Sequence, residues 1–429
     1  MKDKANKKTN KVSRRDFIRA SAAVGMAAIL PGKERIFAAG SDKMRVGLIG
    51  CGGQGTRDTI SCLNSAPDVE LVAMGDLFKD RLDTSLNELK TKVGDKTKVK
   101  VTEDTCFVGI DAYKKVIAHG VDMVLIVTPP HFHPEHVKAA IEAGKHVFME
   151  KPAAVDPAGI RSIIASSELA EQKGLSIVAG TQRRHAAHYI EIIKRIHNGD
   201  IGEILGGQCY WNGGDMIGYW KFYDKAGMTD MQWQLRNWPW FTWLSGDHIV
   251  EQHVHNLDII NWALQAHPVQ VMGMGGRQVR KEGNIYDHFA VEYEYPNGVR
   301  ILGMCRQING CHNRVGERLV GIKGVAHGHG IIEGQNAYKY EGESRDPYEQ
   351  EQADLIASIR EGKPINEGKN VAEGTMAAIM GRMSAYTGRA LKWDWAMNAS
   401  KLNLSPPGYD FDVDFPPRPV ATPGKTQLI

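Results

Sequence analysis

The sequence is poor in cysteine: six in 429 residues (Cys51, Cys62, Cys106, Cys209, Cys305 and Cys311), with no C-x-x-C pair and no zinc spacing. This excludes a disulfide-framed scaffold, a structural zinc module and a dithiol redox motif. Buried free thiols are expected. An oxidising compartment would permit Cys305 and Cys311 to join, but spacing alone does not establish that bond. Long apolar runs are missing as well. Residues 20–30 form a mildly apolar stretch, too short against the roughly 20 residues that a spanning helix needs, and no later segment does better. Stable membrane insertion is therefore not expected. Nor does the folded body carry a basic surplus. The first 39 residues hold ten Lys/Arg and three acids, so of the formal +3 they carry +7 and the remainder about −4. A nucleic-acid binder keeps its positive charge on the folded surface, and that class is set aside. No internal repeat is visible.

What is present begins with a leader. Ser13-Arg14-Arg15-Asp16-Phe17-Ile18-Arg19 resembles a twin-arginine export signal, followed by the apolar stretch and by small residues at Ala38-Ala39-Gly40. Residues 1–40 are read as the signal segment, and the mature protein as periplasmic or otherwise exported. This route carries proteins that are already folded, often around a cofactor.

From Met44 onward strand and helix alternate. A buried strand at 45–49, a helix at about 54–63, a second strand at 69–74, and short apolar runs at 123–127 and 146–149 flank a helix that opens at Pro134 and closes at Gly144. Alternating units imply a parallel sheet with helices on both faces. After about residue 200 the runs become β-type, at 269–274, 288–295, 299–304 and 319–322, with Pro296-Asn297-Gly298 as a hairpin signal. Helices are expected at 249–264, about 349–360 and 371–387. The fold class is thus an α/β Rossmann domain at 44–165 and an α+β substrate-binding domain at 166–390 with a large open, mostly antiparallel sheet. The helix at 371–387 is a candidate for packing back on the first domain, and 391–429 form an extended Pro-rich arm.

Gly50-Cys51-Gly52-Gly53-Gln54-Gly55 is a G-x-G-x-x-G turn between strand and helix, suited to a pyrophosphate at the helix N-terminus. Asp76, 21 residues after Gly55, ends the second strand, where a carboxylate accepts the adenosine ribose hydroxyls. It would repel a 2′-phosphate, and Leu77 rather than Arg follows it, so NAD is favoured over NADP. On the helix at 249–264, Glu251, His255, Asp258 and Trp262 recur at spacings of three and four and form a polar stripe beside an apolar face. His131, His133 and His136 make H-x-H-x-x-H, but the helix opening at Pro134 separates them and no metal is expected. Six of nine tryptophans (Trp211, Trp220, Trp233, Trp238, Trp240, Trp243) fall within 211–243, among Tyr210, Tyr219, Tyr223 and Phe241. Rigid aromatic faces suit sugar rings, and as a group they favour a saccharide, although any single Trp serves packing equally well.

With Thr128-Pro129-Pro130-His131-Phe132-His133, Ala143-Gly144-Lys145-His146-Val147, Glu150-Lys151-Pro152 and Gly180-Thr-Gln-Arg-Arg184, the sequence resembles the glucose–fructose oxidoreductase, inositol dehydrogenase and rhizopine-catabolism (Gfo/Idh/MocA) family from about Met44 to Trp395. The resemblance implies substrate bound between the domains against the nicotinamide. It puts Lys151 beside the reacting hydroxyl and makes His255 the general base, with an acid four residues before it at Glu251, where the family usually has Asp. Cofactor contacts are expected from Gly50, Gly52, Gln54, Gly55, Asp76, Thr128, Pro129, His133, Glu150 and Lys151, and substrate contacts from Arg184, Trp211 and His255. The implied activity is NAD(P)-dependent oxidation or reduction of a secondary hydroxyl, C3 above all, on a sugar or glycoside. Export implies NAD held tightly and recycled in the site. One alternative is a redox-neutral glycosidase acting through transient C3 oxidation; similar exported α-N-acetylgalactosaminidases carry a Tyr-x-Thr-His segment, where this chain reads Ile249-Val-Glu-Gln-His253. Another is a non-catalytic sugar-binding protein, against which Lys151, Glu251 and His255 together argue. A homo-oligomer, dimer or tetramer, is expected.

Overall fold

The computed structural model describes residues 43–215 and 220–429; the twin-arginine motif and Tyr219 lie outside them. Residues from Met44 to Ile429 form one compact unit containing two sheets. The first is parallel, in the order β3-β2-β1-β4-β5-β6, with β1 Met44–Ile49, β2 Val69–Asp76, β3 Cys106–Val108, β4 Met123–Ile126, β5 His146–Met149 and β6 Ile177–Ala179. The strand order reverses between β1 and β4, where doubly wound sheets bind ligands beyond the carboxyl ends of their strands. β6 lies past residue 165, so the parallel sheet extends beyond the point at which sequence alone divides the chain. Around it pack α1 Gly53–Ser65, α2 Lys79–Lys92, α3 Ala112–Ala118, α4 His133–Glu142 and α5 Pro157–Lys173. The start of α5 follows from local chemistry: Asp156 accepts the Gly159 N–H at 2.8 Å, Pro157 opens the helix, and Gly174 at φ 64° ends it.

The second sheet runs β14-β13-β12-β11-β7-β10-β9-β8-β15 and is antiparallel except between β7 and β10. Its strands are β7 Ile204–Gly213, β8 Gln270–Gly276, β9 His288–Glu294, β10 Arg300–Gln307, β11 Arg314–Gly321, β12 Gly324–His327, β13 Ile331–Gly334, β14 Tyr338–Lys339 and β15 Leu391–Lys392. The β9–β10 turn is the expected one, with Asn297 at φ 65° and Gly298 at φ 77°. Its central strand β7 was not legible in the sequence, because Gly206, Gly207 and polar residues interrupt the apolar pattern. A Cβ at Gly207 would stand 2.5 Å from the Arg318 carbonyl, so close strand packing explains that glycine.

The remaining helices are α6 Ala187–His197, α7 Asp230–Arg236, α8 Thr242–Ser245, α9 His248–Glu251, α10 Val254–Leu264, α11 Pro347–Arg360, α12 Gly368–Thr387 and α13 Trp393–Asn398. α12 is buried on nearly every side and packs against α5, α10 and β8, so one core joins the two sheets. Its Gly381 lies where a Cβ would meet the Tyr293 hydroxyl at 2.6 Å. The segment expected as one helix from 249 is broken: α9 ends at Glu251, and α10 begins three residues later. Residues 399–429 have no regular structure but are pinned, with Leu404 and Phe415 buried and the Leu404 N–H on Asp156 at 2.7 Å. Among the cysteines, Cys51, Cys62, Cys209 and Cys305 are buried free thiols as expected. Cys106 is only half-buried and Cys311 is exposed, and neither forms a disulfide.

Candidate active site

At the carboxyl end of β1 the chain turns at Gly50, φ 100°, where a Cβ would strike the Val127 carbonyl at 2.5 Å. Gly55 comes within van der Waals distance of the Gly50 carbonyl, leaving no room for a side chain. At Gly52 and Gly53, by contrast, a Cβ would meet nothing within 4 Å, so this stretch opens onto a cleft. α1 starts here without a side-chain cap. Its first amides are free for an anion, and the helix dipole favours one. Asp76 at the end of β2 is held by the Cys51 N–H on Oδ2 at 2.7 Å and the Phe78 N–H on Oδ1 at 2.8 Å. Burial raises its pKa, and those two bonds work against the rise. The cleft has a volume of about 410 Å³, and its lining includes the loop, Asp76, Thr128 and Pro129. A dinucleotide fits these groups: amides that donate to the pyrophosphate and a carboxylate that accepts from the ribose.

Beyond β5, Lys151 turns inward. Its ammonium donates to the Glu251 Oε1 at 2.9 Å and to the Glu251 carbonyl at 2.8 Å. Burial disfavours the charge, but the Glu251 and Glu150 carboxylates outweigh it and hold the pKa above the ordinary lysine range. Glu150 is buried, and burial pushes its carboxyl up to about 7, offset in part by Lys151. Gln54 spans Glu150 Oε1 at 3.1 Å and Asp58 Oδ1 at 2.7 Å. Burial raises the Asp58 pKa well above the carboxylate range.

His255 stands in the first turn of α10, with its ring stacked on Trp211 of β7 at 5.5 Å between centroids and 20° between planes. Its Nδ1 is buried without a hydrogen-bond partner. Burial, then the Lys151 and Arg183 cations, hold its pKa well below the usual value, so the imidazole rests in its neutral form. The break after α9 undoes the expected Glu251–His255 pairing, because the Glu251 carboxylate is engaged by Lys151 instead. Arg184 is committed elsewhere too, gripping Asp258 with two bonds of 2.8 Å and lying 5.0 Å over Trp262. Arg183, which the sequence did not single out, lies 5.5 Å from the Trp211 ring and donates to Glu317 at 2.5 Å. Glu317 also accepts from Asn256 at 2.6 Å and from Tyr189 at 3.2 Å.

Other expected site residues are redistributed. His133 is fully buried, with both ring nitrogens on backbone carbonyls, Pro152 at 2.8 Å and Thr128 at 2.7 Å, and it does not line the cleft. Burial brings its pKa down to about 4, while the two carbonyls, which a ring protonated on both nitrogens would satisfy, work against that fall. His131 reaches Tyr409 at 2.9 Å, and His136 stacks on Tyr113, so the three histidines diverge. His253 lies in the core, 3.6 Å from the Cys209 sulfur. The tryptophans also separate. Trp211 meets His255; Trp220, Trp238 and Trp240 line the nucleotide cleft; Trp233 and Trp243 pack in the aromatic core beneath. Asp58, Asp80, Arg236 and Glu317 also went unread. Only Asp58 had a local signal, a carboxylate four residues after Gln54 on the same face of α1.

The profile of an oxidoreductase family with an NAD-binding Rossmann fold matches residues 44–181, and a GFO/IDH/MocA C-terminal domain profile matches residues 189–327. Residues 11–31 match the twin-arginine translocation signal, which assigns the chain to that export route. Among curated relatives, scyllo-inositol 2-dehydrogenase (NAD(+)) of Bacillus subtilis is 26% identical over 54% of this chain and 57% of its own length. The inositol 2-dehydrogenase/D-chiro-inositol 3-dehydrogenase of Halalkalibacterium halodurans is 31% identical over 39% and 43% respectively. The chain thus spans about half the length of these two relatives. Two solved structures share the fold over 82% of this chain and 99% of theirs, each with a TM-score of 0.63: aldose-aldose oxidoreductase from Caulobacter crescentus at 19% identity, and scyllo-inositol dehydrogenase from Lactobacillus casei with NAD(H) and scyllo-inositol at 18%. Two profiles of one family fall in chain order, one on each sheet, and the chain belongs to the Gfo/Idh/MocA family of NAD-binding oxidoreductases.

Proposed function

We propose that this protein oxidises and reduces a secondary hydroxyl, at C3, of a sugar or glycoside, with NAD retained and recycled in the site. The observation that carries the reading is the cluster beyond β5: a charged Lys151 locked to Glu251, and a neutral His255 stacked on Trp211. The loop from Gly50 to Gly55, Asp76, Thr128, Pro129 and Glu150 hold the dinucleotide, which when bound supplies a hydride acceptor. Lys151 holds the hydroxyl oxygen and favours its ionised form, and His255 takes the proton. Trp211 offers an aromatic face to the ring carbons. Arg184 acts through Asp258, fixing α10 and thereby His255. Copies of the chain pair through the uncovered face of the second sheet, where Met272 and Leu302 flank Glu292 in register and Met274 extends the apolar stripe.

Retention fits the export route, since a protein that folds before export can carry its nucleotide with it. The test is to purify the mature protein, denature it and measure released NAD. A glycoside panel is then assayed with no nucleotide added, following keto-sugar and free aglycone together. Bound NAD and keto-sugar formed at the expense of a second sugar are expected. An empty protein that builds up NADH one-for-one with substrate would overturn the recycling. Released aglycone without net keto-sugar would replace oxidoreduction by a redox-neutral glycosidase.

A further inference from the structure

We propose that residues 220–240 are a clasp over the adenosine half of the dinucleotide, latched by Arg236 and Asp80, and that its opening limits nucleotide exchange. This rests on the reading that NAD is retained. The cleft has two walls. One is the Gly50–Gly55 turn with Asp76; the other is an aromatic face with Trp220, Tyr223, Trp238 and Trp240, supplied by the chain between β7 and α8. That second wall belongs to the substrate-binding half, yet it crosses to the end of β2, where a ribose on Asp76 would place the adenine.

At the rim the crossing is fastened by one ion pair. Arg236, the last residue of α7, donates to both Asp80 oxygens at 2.7 and 2.8 Å, and its guanidinium lies 3.8 Å from the centre of the Phe78 ring. Its carbonyl accepts from Arg81 at 3.0 Å. Asp76, Phe78, Asp80 and Arg81 lie on one short segment from the end of β2 into the first turn of α2, so the latch closes beside the carboxylate that receives the ribose. The clasp is preformed. A capping box at Thr229 and Gln232 starts α7, and the buried Asn237 side chain bonds the Tyr223 N–H at 2.8 Å and its carbonyl at 3.0 Å. Met231, Gln234 and Leu235 of α7 are buried and Gln234 donates to the Phe415 carbonyl at 2.6 Å, so opening is confined to the rim at the latch.

The latch lies at the rim, with the Asp80 side chain 64% exposed and that of Arg236 19%. An ion pair so placed adds little to folding, so its loss is read in release and not in stability. The test compares wild type with Asp80→Ser, Arg236→Ala and Arg236→Lys. Co-purified NAD is measured after denaturation, and its release rate after dilution into excess unlabelled nucleotide. Circular dichroism verifies the fold, and Asp80→Ser, at an exposed side chain, covers the case in which Arg236→Ala does not fold. Release about tenfold faster is expected in Asp80→Ser and Arg236→Ala, with Arg236→Lys between them and wild type, because a bidentate fork is reduced to a point charge. If wild type retains NAD and the variants release it at the same rate, the clasp is wrong and retention stands on the glycine turn and Asp76. If wild type itself emerges empty and exchanges as fast as the variants, retention fails and the latch fails with it.

Discussion

A buried ammonium normally gives up its proton more readily than a solvated one, and Lys151 does the reverse because two carboxylates face it. Glu251→Gln removes the larger of those attractions while keeping the shape. The Lys151 pKa then falls, and the alkaline limb of kcat/KM moves to lower pH. A pH profile displaced only on its acidic limb would show that Glu251 acts on His255 instead. For His255→Ala, kcat should fall by about 10²–10⁴ with NAD still bound, the usual contribution of a positioned base. A loss under tenfold would remove it from that role. The family resemblance had placed an acid, Glu251, four residues before His255. Lys151 lies 100 residues away along the chain, and no helical periodicity could place it there.

At the level of elements, the turn between α8 and α9 sets how the chain enters the broken helical segment. Asp247 sits at φ 74° and ψ 160°, a conformation that side chains rarely adopt. It is held there because its carboxylate accepts from the backbone N–H groups of His248 at 2.6 Å and Tyr286 at 2.8 Å and from the Tyr386 hydroxyl at 2.5 Å. The chain therefore enters α9 at an angle that presents Glu251 to Lys151. A second junction ties the short turn after β6 to α11 and α12: His185 contacts Asp354 at 2.6 Å and Glu367 at 3.3 Å. Burial opposes its protonation, but the two carboxylates outweigh burial and raise its pKa to about 9. A raised folded-state pKa contributes stability that is complete below the unfolded value near 6.5 and disappears as pH rises through about 9. The ceiling is about 3 kcal/mol, and nearer 1–2 given solvent at Asp354. Urea unfolding should show His185→Gln less stable than wild type at pH 6, with the gap closing by about pH 9.5. A gap independent of pH would mean that the charged imidazole does not hold the junction.

For the whole molecule, the open face of the second sheet leaves Met274 76% exposed and Met272 57% exposed. Contiguous apolar side chains on a sheet face mark an interaction surface. Light scattering on the purified protein should therefore give a dimer or larger, and Met272→Glu with Met274→Lys should dissociate it; a monomeric wild type would reject that pairing. Among the described residues no helix is long and apolar enough to cross a membrane. Local patterns in the chain were sufficient for the leader, the glycine turn with Asp76, the parallel order of strands and helices, and the change to antiparallel strands, because each depends on neighbours within one or two turns. The lysine after β5 was legible only through family resemblance, while the histidine of α10 stood out in a polar stripe and took only its role as base from that resemblance. Tertiary structure alone decided the rest: which carboxylate meets Lys151, why Arg184 is bound to Asp258, and why most of the tryptophans lie over the nucleotide cleft or in the core beneath it while Trp211 remains beside His255. Those outcomes depend on contacts between distant segments, where packing and charge pairing choose among partners that sequence spacing leaves equivalent.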